Sequence, residues 1–175
     1  IKGILSGAAP ISPDVMDFLR VCLSCEVYEG YGATETCAGT ALTVSGDLTV
    51  GHVGVPVPSN EVKLVDIPEM GYTSQDKPFP RGEVCVRGPN CFVGYFKDEE
   101  KTRETIDEDG WVHTGDVGEW DARGRLKIID RKKNLFKLAQ GEYIAPEKIE
   151  LHLTKNPFIQ QAFVHGDSLK SCLLY

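Results

Sequence analysis

Asp109–Lys133 reads DGWVHTGDVGEWDARGRLKIIDRKK. A His-Thr-Gly-Asp segment, His113 to Asp116, reads as a glycine turn, and a basic strand follows it. The acid-base doublet Asp130-Arg131 then leads into Lys132 and Lys133. A carboxylate held on a glycine turn can accept two hydrogen bonds at once, which suits a ribose diol. A guanidinium nearby can grip phosphate or ribose oxygens with its fork of donors. The stretch therefore points to a bound nucleotide.

The surrounding composition is that of an ordinary globular protein. Of 175 residues, 41% are hydrophobic and 26% charged, enough for one modest domain or parts of two. The net charge of -7 argues against a general nucleic-acid binder. It leaves room for a pocket with local positive charge. The chain opens in an apolar run, Ile1–Leu5, and closes in another, Cys172–Tyr175. Natural termini are usually polar and frayed, so the sequence reads as an internal fragment of a longer protein. No apolar run approaches the roughly 20 residues of a membrane-spanning helix. Cys22 and Cys25 form a C-x-x-C pair, but no second pair or spaced histidines complete a metal site. Two small apolar residues at a helix end are the preferred reading, in a reducing compartment.

Along the chain, Ile1–Leu5 reads as a strand, and Ser6-Gly7-Ala8-Ala9-Pro10 as a small-residue loop. Ser12 is placed to cap a helix that has Pro13 at its first position, with Val15, Phe18, Leu19 and Cys22 at helical spacing. A short strand, Glu26–Glu29, runs into Gly30-Tyr31-Gly32. Pro and Gly mark a loop at 51–58. Strands are expected at Glu61–Asp66, Gly82–Arg87 and Leu126–Asp130, and a polar helix over 98–106. Asp66–Arg81 reads as a loop. Pro146 starts another helix, with Ile149, His152 and Leu153 on one face, and Phe158–His165 reads as a strand. The fold class expected is α/β in the mixed α+β sense. Arg123, Arg125 and Lys127 alternate as a solvated strand face would. Trp111 and Trp120 read as core anchors. His52, His152 and His165 read as structural, without evident partners, and His113 is given no catalytic role.

Three further segments carry chemistry. The loop at Gly7-Ala8-Ala9 has no large side chain and lets backbone approach a flat ligand, although tight packing alone would also select it. Tyr31-Gly32-Ala33-Thr34-Glu35 follows a strand. It lacks the third glycine of the dinucleotide fingerprint. A tyrosine between glycines can instead cover a base, and a Thr-Glu pair suits phosphate and magnesium. By itself the segment is weak evidence, since a strand-to-loop turn can hold such residues incidentally.

Taken in order, these motifs resemble the adenylate-forming acyl-CoA synthetases, relatives of luciferases and peptide-synthetase adenylation domains. The resemblance covers essentially the whole chain. It is closest to the eukaryotic long-chain fatty acyl-CoA synthetases, through Val62–Asp66, Gly82–Gly88 and Phe136–Glu150. It implies the C-terminal part of a large AMP-binding domain over 1–132. Residues 133–175 would be the hinge and the start of a small C-terminal domain. It also implies that Gly7, Ala8 and Ala9 line one side of adenine. Tyr31, set between Gly30 and Gly32, would cover the other. Thr34 would contact the α-phosphate and Glu35 would ligate Mg2+. Asp116 would bind the ribose hydroxyls and Arg131 ribose or phosphate oxygens. Lys133 takes the family's hinge position, and Lys137 and Gly141 lie in the segment that moves for thioester formation.

The implied reaction joins a long-chain fatty acid to coenzyme A with ATP, through an acyl-adenylate. The family's Gly/Ser/Thr-rich phosphate loop and late lysine do not occur in these residues, so the fragment alone is expected to be inactive. The implied location of the parent is intracellular, on the endoplasmic-reticulum or peroxisomal membrane. Competing readings are another adenylate-forming ligase of the coumarate or luciferase type, a catalytically silent binding paralogue, and a zinc module built on Cys22 and Cys25.

Overall fold

Ser12 and Pro13 begin the first helix as their chemistry dictates. The Ser12 hydroxyl accepts from Val15 N at 3.3 Å, and Pro13 fills a position whose N–H would have no partner. Such a cap is worth about 1 kcal/mol. These features belong to a computed structural model that describes residues 2–7, 11–169 and 173–174.

The strands and helices, in chain order, are β1 (Gly3–Ser6), α1 (Pro13–Leu23), β2 (Glu26–Tyr31), β3 (Ala41–Leu42), β4 (Val55–Pro56), β5 (Glu61–Val65), β6 (Arg81–Arg87), α2 (Glu99–Thr105), β7 (Val112–Trp120), β8 (Leu126–Arg131), β9 (Phe136–Lys137), β10 (Tyr143–Ile144), α3 (Pro146–Leu153), β11 (Val164–His165) and β12 (Leu173–Leu174). Two four-stranded sheets run in the orders β1-β2-β3-β4 and β5-β6-β7-β8. β1 and β2 are parallel, joined through α1, and β2, β3 and β4 are antiparallel neighbours. Mixed α/β architecture is therefore what the sequence predicts. Among the described residues no helix is long and apolar enough to cross a membrane.

The chain divides into two compact units, one formed by 1–114 and 118–128, the other by 115–117 and 129–175. In the first, Ala41, Val53, Val84, Val86 and Leu126 form the core, with Tyr31, Leu64 and Trp120 packed against it. Val84 and Val86 share one face of β6 and are fully buried, worth about 1.5–3 kcal/mol each. Cys85 alternates to the other face, and burial pushes its thiol up to about 12. In the second unit Phe136, Leu138 and Val164 form a smaller core, joined by Ile144 and Leu153.

Several expectations are corrected. His113–Asp116 is not a turn. It lies inside β7, where Gly115 alone turns to φ 71°, a backbone state only glycine adopts cheaply. The strand expected over 158–165 contracts to Val164–His165, because the Phe158 and Ile159 N–H groups bond back to Asn156 in a turn, at 3.0 and 2.9 Å. The loop at 66–81 contains a 3₁₀ turn, Pro68–Met70. Of the three residues expected on one face of α3, Leu153 joins the core, whereas Ile149 and His152 are exposed.

Arg125 is not on a solvated face. It bonds Asp47 at 2.9 Å, Asp121 at 2.7 Å, and the Thr49 hydroxyl. His52 has partners too. Its Nδ1 accepts from Gly54 N at 3.0 Å and its Nε2 meets Thr49 Oγ1 at 2.9 Å, so it is a neutral, pinned ring. Burial depresses its basicity. Hydrogen bonds from Thr49 and Arg125 hold Asp47 well below the usual carboxylate range, against the opposing cost of burial. Trp120 is a core residue as expected. Trp111 instead carries two cations near its ring, Lys63 at 4.2 Å and Arg87 at 4.5 Å.

Candidate active site

In the first unit, β2 delivers Gly30 and Tyr31 to the start of a short 3₁₀ turn, Thr34–Thr36. Thr34 is exposed, Glu35 half-buried and Tyr31 half-buried. The turn is fixed from beneath by a residue that its pattern did not single out. The Thr36 hydroxyl accepts from Ala33 N at 3.0 Å and receives the Thr40 hydroxyl at 3.0 Å. Asn90 spans the same loop, donating to Thr36 O and Gly39 O at 2.8 Å each. Both residues are polar and ordinary in composition, so no sequence signal distinguishes them from surface polar groups.

Gly32 is required by space. A Cβ there would lie 2.4 Å from the Ala38 carbonyl carbon and oxygen, which are backbone and have little room to yield. Gly32→Ala is therefore expected to cost about 1–3 kcal/mol by overpacking. Urea unfolding should show a lowered midpoint, and an unchanged midpoint would contradict this packing.

Glu35 is held by Tyr95, whose hydroxyl donates to Oε1 at 2.6 Å. A carboxylate carries about four acceptor sites, so this bond leaves acceptor capacity for a metal ion. Among the described residues no group of three or more His, Cys, Asp or Glu is placed to bind a metal by itself. Cys22 is exposed on α1, and Cys25 follows the helix. Of the small-residue loop, Gly7 is exposed, and Ala8 and Ala9 lie outside the described residues.

In the second unit Asp116 and Arg131 come together. Asp116 is 6% exposed on β7, and Arg131 Nε lies 3.4 Å from its Oδ1. The exposed Arg131 side chain makes this pair worth at most about 1 kcal/mol, so its value is in orientation. Lys133 is exposed in the turn Lys132–Asn134 after β8. Lys137 ends β9, and its ammonium lies 5.4 Å from the Tyr143 ring. Gly141 closes the β9–β10 connection, donating its N–H to Leu138 O at 2.8 Å.

Next to that turn, Asp130 is 1% exposed. Its Oδ1 accepts from Arg131 N at 2.7 Å and from Asn134, which also reaches Glu147 at 3.3 Å. Burial pushes the Asp130 carboxyl up. Burial and the charges of Asp130 and Glu150 push Glu147 up. Folding therefore favours their protonated forms. Their contribution is full below about pH 4 and is lost as pH rises through the raised folded values. Hydrogen exchange of the α3 amides, corrected for intrinsic rates, should show protection falling from pH 4 to 7. Rising protection would contradict this coupling.

Residues 1–96 match the family described as AMP-binding enzyme, over half of the chain. The chain belongs to that family. It is 66% identical over 169 residues to "Long chain acyl-CoA synthetase 7, peroxisomal" of Arabidopsis thaliana, covering 97% of this chain and 24% of the relative. It is 57% identical over 175 residues to "Long-chain-fatty-acid--CoA ligase 6" of Rattus norvegicus, covering 99% of this chain and 24% of that protein. The chain thus spans about a quarter of the length of these curated relatives. Among solved structures, it resembles an O-succinylbenzoate coenzyme A synthetase from Bacillus subtilis in complex with ATP and magnesium ion. That match has 30% identity and a TM-score of 0.83, covering 99% of this chain and 35% of the other.

Proposed function

We propose that the full-length protein carrying this sequence ligates long-chain fatty acids to coenzyme A, using ATP and passing through an acyl-adenylate. The observation that supports this most is the high identity to long-chain acyl-CoA synthetases over nearly the whole chain, with Thr34, Glu35, Asp116 and Arg131 all present.

In this reading Tyr31, between Gly30 and Gly32, covers adenine opposite Gly7, Ala8 and Ala9. The Thr34 hydroxyl donates to the α-phosphate. Asp116 accepts both ribose hydroxyls, and Arg131 holds ribose or phosphate oxygens. The donor set suits magnesium, which takes one or two carboxylates and completes its shell with phosphate oxygens and water. Glu35 would hold it, and the ion would offset negative charge on the phosphoryl oxygens. The fatty carboxylate attacks the α-phosphorus and pyrophosphate leaves. The CoA thiol then attacks the acyl carbon and AMP leaves. Between these steps the segment containing Lys137 and Gly141 moves about Lys133. We further propose that the full-length protein works at a peroxisomal or endoplasmic-reticulum membrane; the peroxisomal relative supports the peroxisome.

The test is thioester formation by the full-length protein with ATP and CoA across fatty acids of different length. Turnover should peak with long chains. Turnover only with aromatic acids would favour the coumarate-type ligase, and none with any acid would favour a silent paralogue.

A further inference from the structure

Tyr95 lies 60 residues from Glu35 in sequence and is joined to it by a direct hydrogen bond. Everything around Tyr95 fixes the direction of that bond. Its backbone N–H donates to Thr102 Oγ1 at 2.9 Å, tying it to α2. Its ring meets Phe92 edge-on at 4.9 Å, and the Lys101 ammonium lies 4.4 Å over its face. A phenol has one proton to give and an ionised carboxylate can only accept, so the Tyr95 proton is directed to Glu35. The backbone is clamped as well, since Phe92 N donates to Glu35 O at 2.8 Å. Two contacts therefore run from the same loop to the same glutamate, one to its backbone and one to its carboxylate.

We infer that Tyr95 is a positioning residue that holds the Glu35 carboxylate in the orientation needed to receive a divalent cation delivered with nucleotide. This rests on the proposed reading of Glu35 as the magnesium ligand. A carboxylate on a freely rotating side chain must be ordered when metal binds. One already hydrogen-bonded to a fixed phenol avoids that cost, and loss of such outer partners weakens metal binding about 10–100-fold. An ordinary phenol is protonated through the neutral range, so the donor is present when nucleotide binds.

The test uses the full-length protein without fatty acid, so that no turnover occurs, and measures Mn2+–ATP affinity by electron paramagnetic resonance. Tyr95→Phe keeps the ring contacts and removes only the hydroxyl. It should weaken Mn2+–ATP binding about 10-fold and leave metal-free ATP binding unchanged. Unaltered Mn2+–ATP binding in Tyr95→Phe, alongside weakened binding in Glu35→Gln, overturns the positioning role. Unaltered binding in Glu35→Gln overturns the metal reading itself. If Tyr95→Phe fails to fold, 4-fluorophenylalanine at position 95 decides, because it fills the space of the hydroxyl and has no proton to donate. Mn2+–ATP binding should again weaken about 10-fold, and binding equal to that of the unsubstituted protein overturns the proposal.

Discussion

Replacing Glu35 with alanine in the full-length protein is expected to reduce fatty-acid-dependent ATP–pyrophosphate exchange about 100-fold or more. The carboxylate is the acidic group of the Thr34–Thr36 turn; Tyr95 holds it directly, and Phe92 N pins the Glu35 backbone carbonyl. If it places a cation against the phosphoryl oxygens, its loss removes roughly 3 kcal/mol of transition-state stabilisation, and each 1.36 kcal/mol is tenfold in rate. Exchange at the unsubstituted rate would remove Glu35 from the reaction. The thermal midpoint should be read in the same preparation, so that lost activity is not lost fold.

The second large effect is expected at Lys133. It is exposed and lies in the turn between β8 and β9, where a change of backbone torsion disturbs few packed neighbours. Proline there locks φ near −65° and restricts Lys132 as well. If this turn is the pivot, Lys133→Pro arrests the protein in its adenylating arrangement. Thioester formation should fall about 100-fold, the scale expected when reacting groups are misplaced by an ångström or so. Adenylation should remain within about threefold. Separate assays of the two half-reactions check this, and equal loss in both would count against a pivot at Lys133.

Local signals in this sequence translated directly into local structure. Ser12, Pro13 and the apolar spacing behind them yield α1, and Asp98 caps α2 through Lys101 N at 3.0 Å. The alternation in 81–87 yields β6, with its two valines on the core face. The motif order pointed to the family, because each motif is short and contiguous.

What stayed hidden depends on contacts between distant positions. Arg125 looked like one of three alternating basic residues, and only the fold brings Asp47 within 2.9 Å of it. Tyr95 carries no distinguishing signal in the sequence, and only the fold brings it to Glu35. His113–Asp116 looked like a turn because Gly115 signals positive φ, yet neighbouring strands hold the segment extended around that one residue. Trp111 shows the same limit. Its size suggests a core, and its two cation contacts come from residues 48 and 24 positions away.

The central claim is that this site makes an acyl-adenylate from a long-chain fatty acid. The most direct measurement is incorporation of labelled pyrophosphate into ATP by the full-length protein with palmitate and magnesium, and with CoA omitted. Exchange that requires palmitate and is competed by AMP is the expected result. No exchange with palmitate, from folded protein that still binds ATP, would contradict it.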